Sequence, residues 1–247
     1  MSKNSLLPLI IAVVALVVSV DAKIPSYIHL CNRNDPDMSS CVENSVNELK
    51  PKMIQGIPEL EVPPIEPLEL GHINLNLGPG IKVEGRNIQL SGLKDFQIRK
   101  LSVNIKDDVF YMEIDVPKLL ARGTYDIDTK IGSIALKGTG PLSLVGETVT
   151  GHITLHGKKI PKNNKTLYYF ASMQLKLSIA DYDLKLEGIG GGDKTLGEVT
   201  NKVLKDEKAS ILESVLPAIE EALSQYLLKS ANNVCKHFTW EELFPVS

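Results

Sequence analysis

The 247-residue chain predicts an α+β fold. A long, curved antiparallel sheet is expected to wrap around a long C-terminal amphipathic helix, with a short helix near the N-terminus. Three observations carry this. Apolar residues alternate with polar ones from about Ile73 to Leu186, the period of half-buried strands. From Leu196 to Leu227 the period becomes 3.6. A glycine cluster, "EGIGGGDKTLG", separates the two regimes. One long sheet and one long helix, each with one apolar face, bury those faces on each other.

The first element is not part of the domain. Lys3 precedes an almost unbroken apolar run, Leu6 to Val20, and Val20 and Ala22 flank Asp21. A basic start, a short apolar run and a V-x-A ending describe a secretory signal peptide, residues 1–22, cleaved after Ala22. The run is short for a span of roughly 20 residues and lacks a basic stop. Residues 23–247 are expected to form a single secreted, soluble domain. A chain of this size buries about 70–75% of its unfolded surface and needs no cross-link to hold a core.

Three cysteines are present. In an oxidising compartment Cys31 and Cys41 are expected to pair across "CNRNDPDMSSC", whose Asn-Asp-Pro-Asp sequence lets the chain double back. So short a loop contributes no more than about 2–3 kcal/mol. Cys235, in an apolar helical pattern, reads as a buried and inert thiol. Cys41, Val42, Val46, Leu49, Met53 and Ile54 recur at helical spacing, which predicts a helix over 39–54 capped by Ser39 or Ser40. Pro58, Pro63, Pro64 and Pro67 then force an extended connector, anchored by Ile57, Leu60, Val62, Ile65 and Leu68.

The sheet follows in alternating runs. The longest is Leu167, Tyr169, Ala171, Met173, Leu175, Leu177 and Ile179, continued by Tyr182, Leu184 and Leu186. Turns are expected at Gly78-Pro79-Gly80, Asp107-Asp108, Gly138-Thr139-Gly140 and Asp181. No fixed 20–50-residue period points to a propeller or solenoid. The C-terminal helix carries Pro217, which should kink or break it, and thirty-odd helical residues would span about 45–50 Å.

Several chemistries lack a foothold. The glycine cluster opens like a phosphate loop, but Asp193 stands between Gly192 and Lys194 and puts negative charge where phosphate would sit. The dinucleotide pattern fails at the same Asp193. A plainer reading is a sharp reversal into the helix, with Asp193 or Thr195 as its cap and Glu198 completing a capping box. His152 and His156 lie about 13 Å apart along a strand, too far to share a metal. No zinc-protease or serine-hydrolase motif occurs, so catalysis and cofactors are not expected. A net charge of −3 with one Trp and five Phe gives no reason to expect nucleic acid. Asn164-Lys165-Thr166 is a glycosylation sequon in a polar loop.

What remains is an excess of apolar face. A long helix and a curved sheet cannot touch everywhere, so an internal tunnel and a solid core are both open readings. A 15-carbon ligand buried there gains about 12 kcal/mol gross at ~0.8 kcal/mol per carbon. Association costs of at least ~4 kcal/mol then place its affinity between micromolar and nanomolar.

The stretches "IPSYIHLCNRNDPDMSSCVENSVNELKPKMIQGIPELEVPPIEPLEL" and "GGGDKTLGEVTNKVLKDEKASILESVLPAIEEALSQYLLKSANNVCKHFTWEELFPVS" resemble the two ends of the takeout and haemolymph juvenile hormone binding proteins of insects. The cysteine pair, "GIPEL…PP.EPL", "GDK.LG" and the final "EELFP" carry the resemblance together. It implies the wrapped sheet-and-helix fold of the tubular lipid-binding superfamily and non-catalytic carriage of hydrophobic small molecules outside cells. The family disulfide falls on Cys31 and Cys41. The second disulfide typical of juvenile hormone carriers has no counterpart, which favours the takeout branch; "GGGDK" replaces the commoner "FNGDK".

The expected function is a secreted, monomeric carrier of a terpenoid such as a juvenile-hormone-like ligand, a fatty acyl chain or another lipid, without stable membrane insertion. By apolar face alone the lining residues are Leu175, Leu177, Ile211, Val215, Leu216, Ile219, Leu223 and Leu227. The alternative is a secreted interaction protein with a vestigial tunnel, acting through a protein partner. Feeding, circadian and hormonal roles all fall within the family's range.

Overall fold

The computed structural model describes residues 24–76, 82–131, 134–190 and 193–246. The expected signal peptide, the Gly78-Pro79-Gly80 turn, Gly191 and Gly192 lie outside the described residues. The elements run α1 (Met38–Gln55), β1 (Leu68–Asn76), β2 (Lys82–Ser91), β3 (Gln97–Asn104), β4 (Val109–Ile131), β5 (Ile134–Lys162), β6 (Lys165–Leu186), α2 (Lys194–Asp206), α3 (Lys208–Cys235) and α4 (Trp240–Leu243). The strands pair antiparallel in the order β1-β2-β4-β5-β6, and β3 pairs with part of β4. The α+β expectation holds: a curled half-barrel sheet carries a long helix against it.

Strand length explains the curl. At about 3.3 Å per residue a 23-residue strand such as β4 would run ~75 Å if straight, so twist must coil it. Register shifts at Arg86/Gln89, Ile98/Lys100 and His156/Gly157 add bends. The longest alternation in the sequence becomes β6, and Asp107-Asp108 supplies the turn before β4.

Two expected turns are strand interior instead. Gly138-Thr139-Gly140 lies within β5, opposite Ile127, Asp126 and Tyr125 of β4. A side chain at Gly140 would stand 2.1 Å from the Glu187 carbonyl oxygen, so the glycines serve close approach of the chain after β6. Asp181 lies within β6, opposite Glu147, and its carboxylate receives Lys208. Period two runs through Gly138-Thr139-Gly140, from Ile134 to Leu144; at Asp181 it changes phase, from Ile179 to Tyr182, and the strand continues because its pairing with β5 keeps register from Val149–Ile179 to Glu147–Asp181.

The helices also depart in detail. Asp37 caps α1, accepting from Ser40 N–H, while Ser39 Oγ accepts from Val103 N–H and joins α1 to β3. The C-terminal helical stretch breaks at Glu207 rather than Pro217, which sits inside α3. The polar run from Lys205 to Lys208 has no apolar anchor, and β6 holds Lys208 through Asp181 and through Tyr182 Oη, which donates to the Lys208 carbonyl at 2.6 Å. Asp193 caps α2 by accepting from Leu196 N–H at 3.0 Å, and Gly188 and Gly190 take the positive φ that the reversal needs. The cap is thus Asp193 rather than Thr195.

Cys31 and Cys41 are disulfide-bonded, with Cα atoms 5.9 Å apart, and tie the segment before α1 to that helix. Cys235 is free and buried.

Candidate ligand-binding interior

α3 packs against the two edge strands of the long path, β6 and β1, and so bridges the open side of the curled sheet. An edge strand presents unpaired backbone groups, and burying them bare is costly. Three polar side chains answer this on β6. Asn232 Oδ1 accepts from Phe170 N–H at 2.8 Å and its Nδ2–H donates to the Phe170 carbonyl at 2.9 Å. Asn201 does the same at Leu186, at 3.3 and 3.0 Å. Midway, buried Glu220 accepts from Leu177 N–H at 2.8 Å and from Lys176 Nζ at 2.7 Å. On the other edge, Tyr226 Oη donates to the Glu69 carbonyl of β1 at 3.1 Å. Sequence reasoning missed these latches, because Asn and Glu between apolar helical positions read as a solvated face.

The two ends of α3 enter separate plugs. At its N-terminal end Ile211 packs with Tyr125, Ile127, Leu136, Leu186 and Ile189. At its C-terminal end Cys235 joins Tyr168 and Trp240, with Phe110, Phe170 and Phe244 around them. Ile211 and Cys235 are about 36 Å apart along a helix rising 1.5 Å per residue. The second plug is clamped from outside: Lys159 Nζ sits 3.9 Å from the Trp240 ring centre, and Arg33 Nε donates to the Phe244 carbonyl at 2.6 Å. Burial pushes the Tyr168 hydroxyl well above the usual tyrosine range, and the Cys235 thiol is pushed up to about 12 by the same cause.

Between the plugs, apolar residues divide into sheet-based clusters. One centres on Leu68, Ile88 and Leu90 and takes in Leu223 and Tyr226 from α3. Another centres on Phe96, Val116 and Val149 and takes in Leu177 and Ile179 from β6. The residues expected at the interior therefore part company. Ile211 and Val215 belong to the first plug, Leu177 and Leu223 to the sheet clusters, and Leu175 is buried. Leu216, Ile219 and Leu227 are half-buried and join none of these clusters. The buried residues of α3 between Ile211 and Cys235 are Glu220 and Ser224.

A distinct groove of about 670 Å³ lies between the end of β6 and α2, beside Leu184, Leu186 and Asn201. Lys194, Lys202 and Lys205 line it together with Asp183, Glu187 and Glu198, while most of its exposed lining is apolar. Among the described residues, His29, Cys31 and Cys41 are close enough to hold a metal, but the two sulfurs are bonded to each other. No described helix is long and apolar enough to cross a membrane. Asn164 sits exposed in the turn between β5 and β6.

Comparison with known proteins agrees with this architecture. A Schistocerca gregaria protein, provisionally named beta-carotene-binding protein, is 22% identical over 88% of both chains. The circadian clock-controlled protein daywake of Drosophila yakuba is 23% identical, over 89% of this chain and 88% of its own. The crystal structure of Epiphyas postvittana Takeout 1 superposes with a TM-score of 0.75 at 18% identity, over 89% of this chain and all of that one, and shares this fold. The profile of the family described as Haemolymph juvenile hormone binding protein (JHBP) matches residues 9–245. With a match of that extent on a takeout-like fold, the chain belongs to the takeout and haemolymph juvenile hormone binding protein family.

Proposed function

We propose that this protein is a secreted, non-catalytic carrier that holds one apolar small molecule between α3 and the concave face of the sheet. The observation that carries the reading is the inverted burial along α3. Between Ile211 and Cys235 its buried residues are polar, Glu220 and Ser224, while Leu216, Ile219 and Leu227 stay half-buried. A helix enclosed by a sheet normally does the reverse. Glu220 seats the helix on the β6 edge, and these apolar side chains keep part of their surface uncovered. An apolar ligand supplies that cover.

Family membership supports carriage, and a relative provisionally named for beta-carotene binding fits a long, apolar cargo. Burial of the ligand's hydrocarbon gives affinity at about 0.8 kcal/mol per carbon. Leu175, Leu177, Val215 and Leu223 bound the space in this reading, with Ile211 at its closed end. The apolar run of residues 6–20 supports export through a signal peptide.

The test is organic-solvent extraction of the purified protein followed by mass spectrometry. A stoichiometric lipid or terpenoid is expected. Protein that comes out empty, and that also ignores a panel of fluorescent fatty acids and terpenoids, would refute carriage.

A further inference from the structure

The hairpin joining β5 to β6 carries a surface that carriage of a ligand does not use. It turns at Asn163 and Asn164, both left-handed with φ of 48° and 59°, the two-residue turn that suits strand twist. Beyond the turn Lys162 faces Lys165, Ile160 faces Leu167, and Lys158 faces Tyr169. Alternation puts these six side chains on one face of the hairpin. The other face is already engaged. There Lys159 lies over Trp240 and 2.8 Å from Asp108, and the neighbouring Tyr168 is buried against Trp240.

The free face combines two unfavourable features. Ile160 and Leu167 form a cross-strand apolar pair that stands 45% and 38% exposed. Lys162 and Lys165 are like charges placed directly opposite, which weakens a hairpin. Among the described residues Lys158, Lys162 and Lys165 have no carboxylate within ion-pair distance, and nearby Glu242 is held by Thr239. Nor does the local sequence offer one: from Thr148 to Ala180 there are five lysines and no Asp or Glu. Without those five lysines the chain's net charge would be −8 instead of −3.

We propose that this face docks on anionic lipid bilayers. Lys158, Lys162 and Lys165 would reach the charged headgroups on their long stems, while Ile160 and Leu167 enter the acyl boundary and Tyr169 sits at the interface. A polyanionic polysaccharide would use the lysines but leave the apolar pair in water, so the pair selects a bilayer. Docking is peripheral, through one hairpin, and does not depend on what the interior holds. The sequon places Asn164 at the tip, where a glycan would hold the lysines off the surface.

The experiment uses protein expressed in insect cells, trimmed with an endoglycosidase and co-sedimented with vesicles. Vesicles of phosphatidylcholine alone are compared with vesicles containing roughly a third phosphatidylserine. Binding to the anionic vesicles is expected to be at least about tenfold stronger and to fall as salt rises. Lys158→Gln/Lys162→Gln/Lys165→Gln and Ile160→Ser/Leu167→Ser should each lose about tenfold at an unchanged thermal midpoint. Lys202→Gln/Lys205→Gln, on α2, should bind as before. Equal binding to neutral vesicles, or none to either, overturns the proposal. So does unchanged binding by the Ile160→Ser/Leu167→Ser protein, or retention on heparin without vesicle binding, since both describe a plain polyanion site.

Discussion

Asn232 of α3 and Phe170 of β6 exchange two hydrogen bonds, side-chain amide to backbone, at 2.8 and 2.9 Å. The amide copies the peptide group of a missing neighbouring strand, so the helix stands in for the next strand of the sheet. Asn232→Ala leaves both Phe170 backbone groups unpaired and should cost about 2–3 kcal/mol in chemical denaturation. Asn232→Asp keeps the acceptor but sets a carboxylate oxygen against the Phe170 carbonyl oxygen, so its loss should be at least as large. A midpoint for Asn232→Ala equal to that of the unsubstituted chain would mean that water takes over the latch.

Filling the interior separates lining from core. Ile219→Trp adds bulk at a half-buried residue outside every apolar cluster, and should lower uptake of a fluorescent fatty acid at least about tenfold while leaving the thermal midpoint nearly fixed. Ile211→Ala, inside the first plug, should cost about 2–4 kcal/mol yet leave binding per folded molecule unchanged. If both substitutions act on stability alone, the space between α3 and the sheet is packed solid.

The reach of the sequence follows from what its periodicities encode. Period two located β6, although its change of phase at Asp181 read as a turn that pairing with β5 overrides, and the shift to 3.6 located the start of α2 with its Asp193 cap. Periodicity cannot say which strand lies at an edge. Asn201, Glu220 and Asn232 therefore read as solvent-facing until β6 is known to lack a neighbour on one side. Nor can an apolar face distinguish a residue pressed on other side chains from one bordering a space. Ile211 and Ile219 have the same chemistry eight positions apart, and only packing tells them apart. The helix break fell at Glu207 rather than Pro217 because contacts from β6, not backbone propensity, decide it.

Gly140 tests the correction at "GTG". Its missing side chain lets the Glu187 carbonyl pass at 2.1 Å from where a Cβ would stand, and Tyr125 Oη donates to that same carbonyl at 2.9 Å. Gly140→Ala must displace backbone rather than a flexible side chain, so the expected loss is about 2–3 kcal/mol. Gly71, with nothing near its would-be Cβ, has a φ of 65°, so Gly71→Ala should cost only about 1 kcal/mol. Equal thermal shifts for the two substitutions would argue that conformational freedom, not close approach, fixes both glycines.

Cys235 should be silent to thiol reagents and visible in the pH dependence of stability. Burial against Tyr168 and Trp240 pushes its thiol from an ordinary 9.0 up to about 12. Near pH 8, where thiolate is the reactive form, Ellman's reagent should find no thiol in the folded chain and one in denaturant. The folded chain holds this proton more tightly than the unfolded chain does. The thiol's contribution is therefore complete below pH 9 and is lost as pH rises from 9 towards about 12. Tyr168 is shifted in the same direction by burial and adds to the decline. Stability measured by denaturant should thus fall above pH 9, and Cys235→Ala should flatten part of that slope while lowering stability at neutral pH by about 1 kcal/mol for the lost packing. A slope identical in the two proteins, or a thiol that labels freely in the folded state, would place Cys235 in contact with solvent instead of inside the aromatic plug.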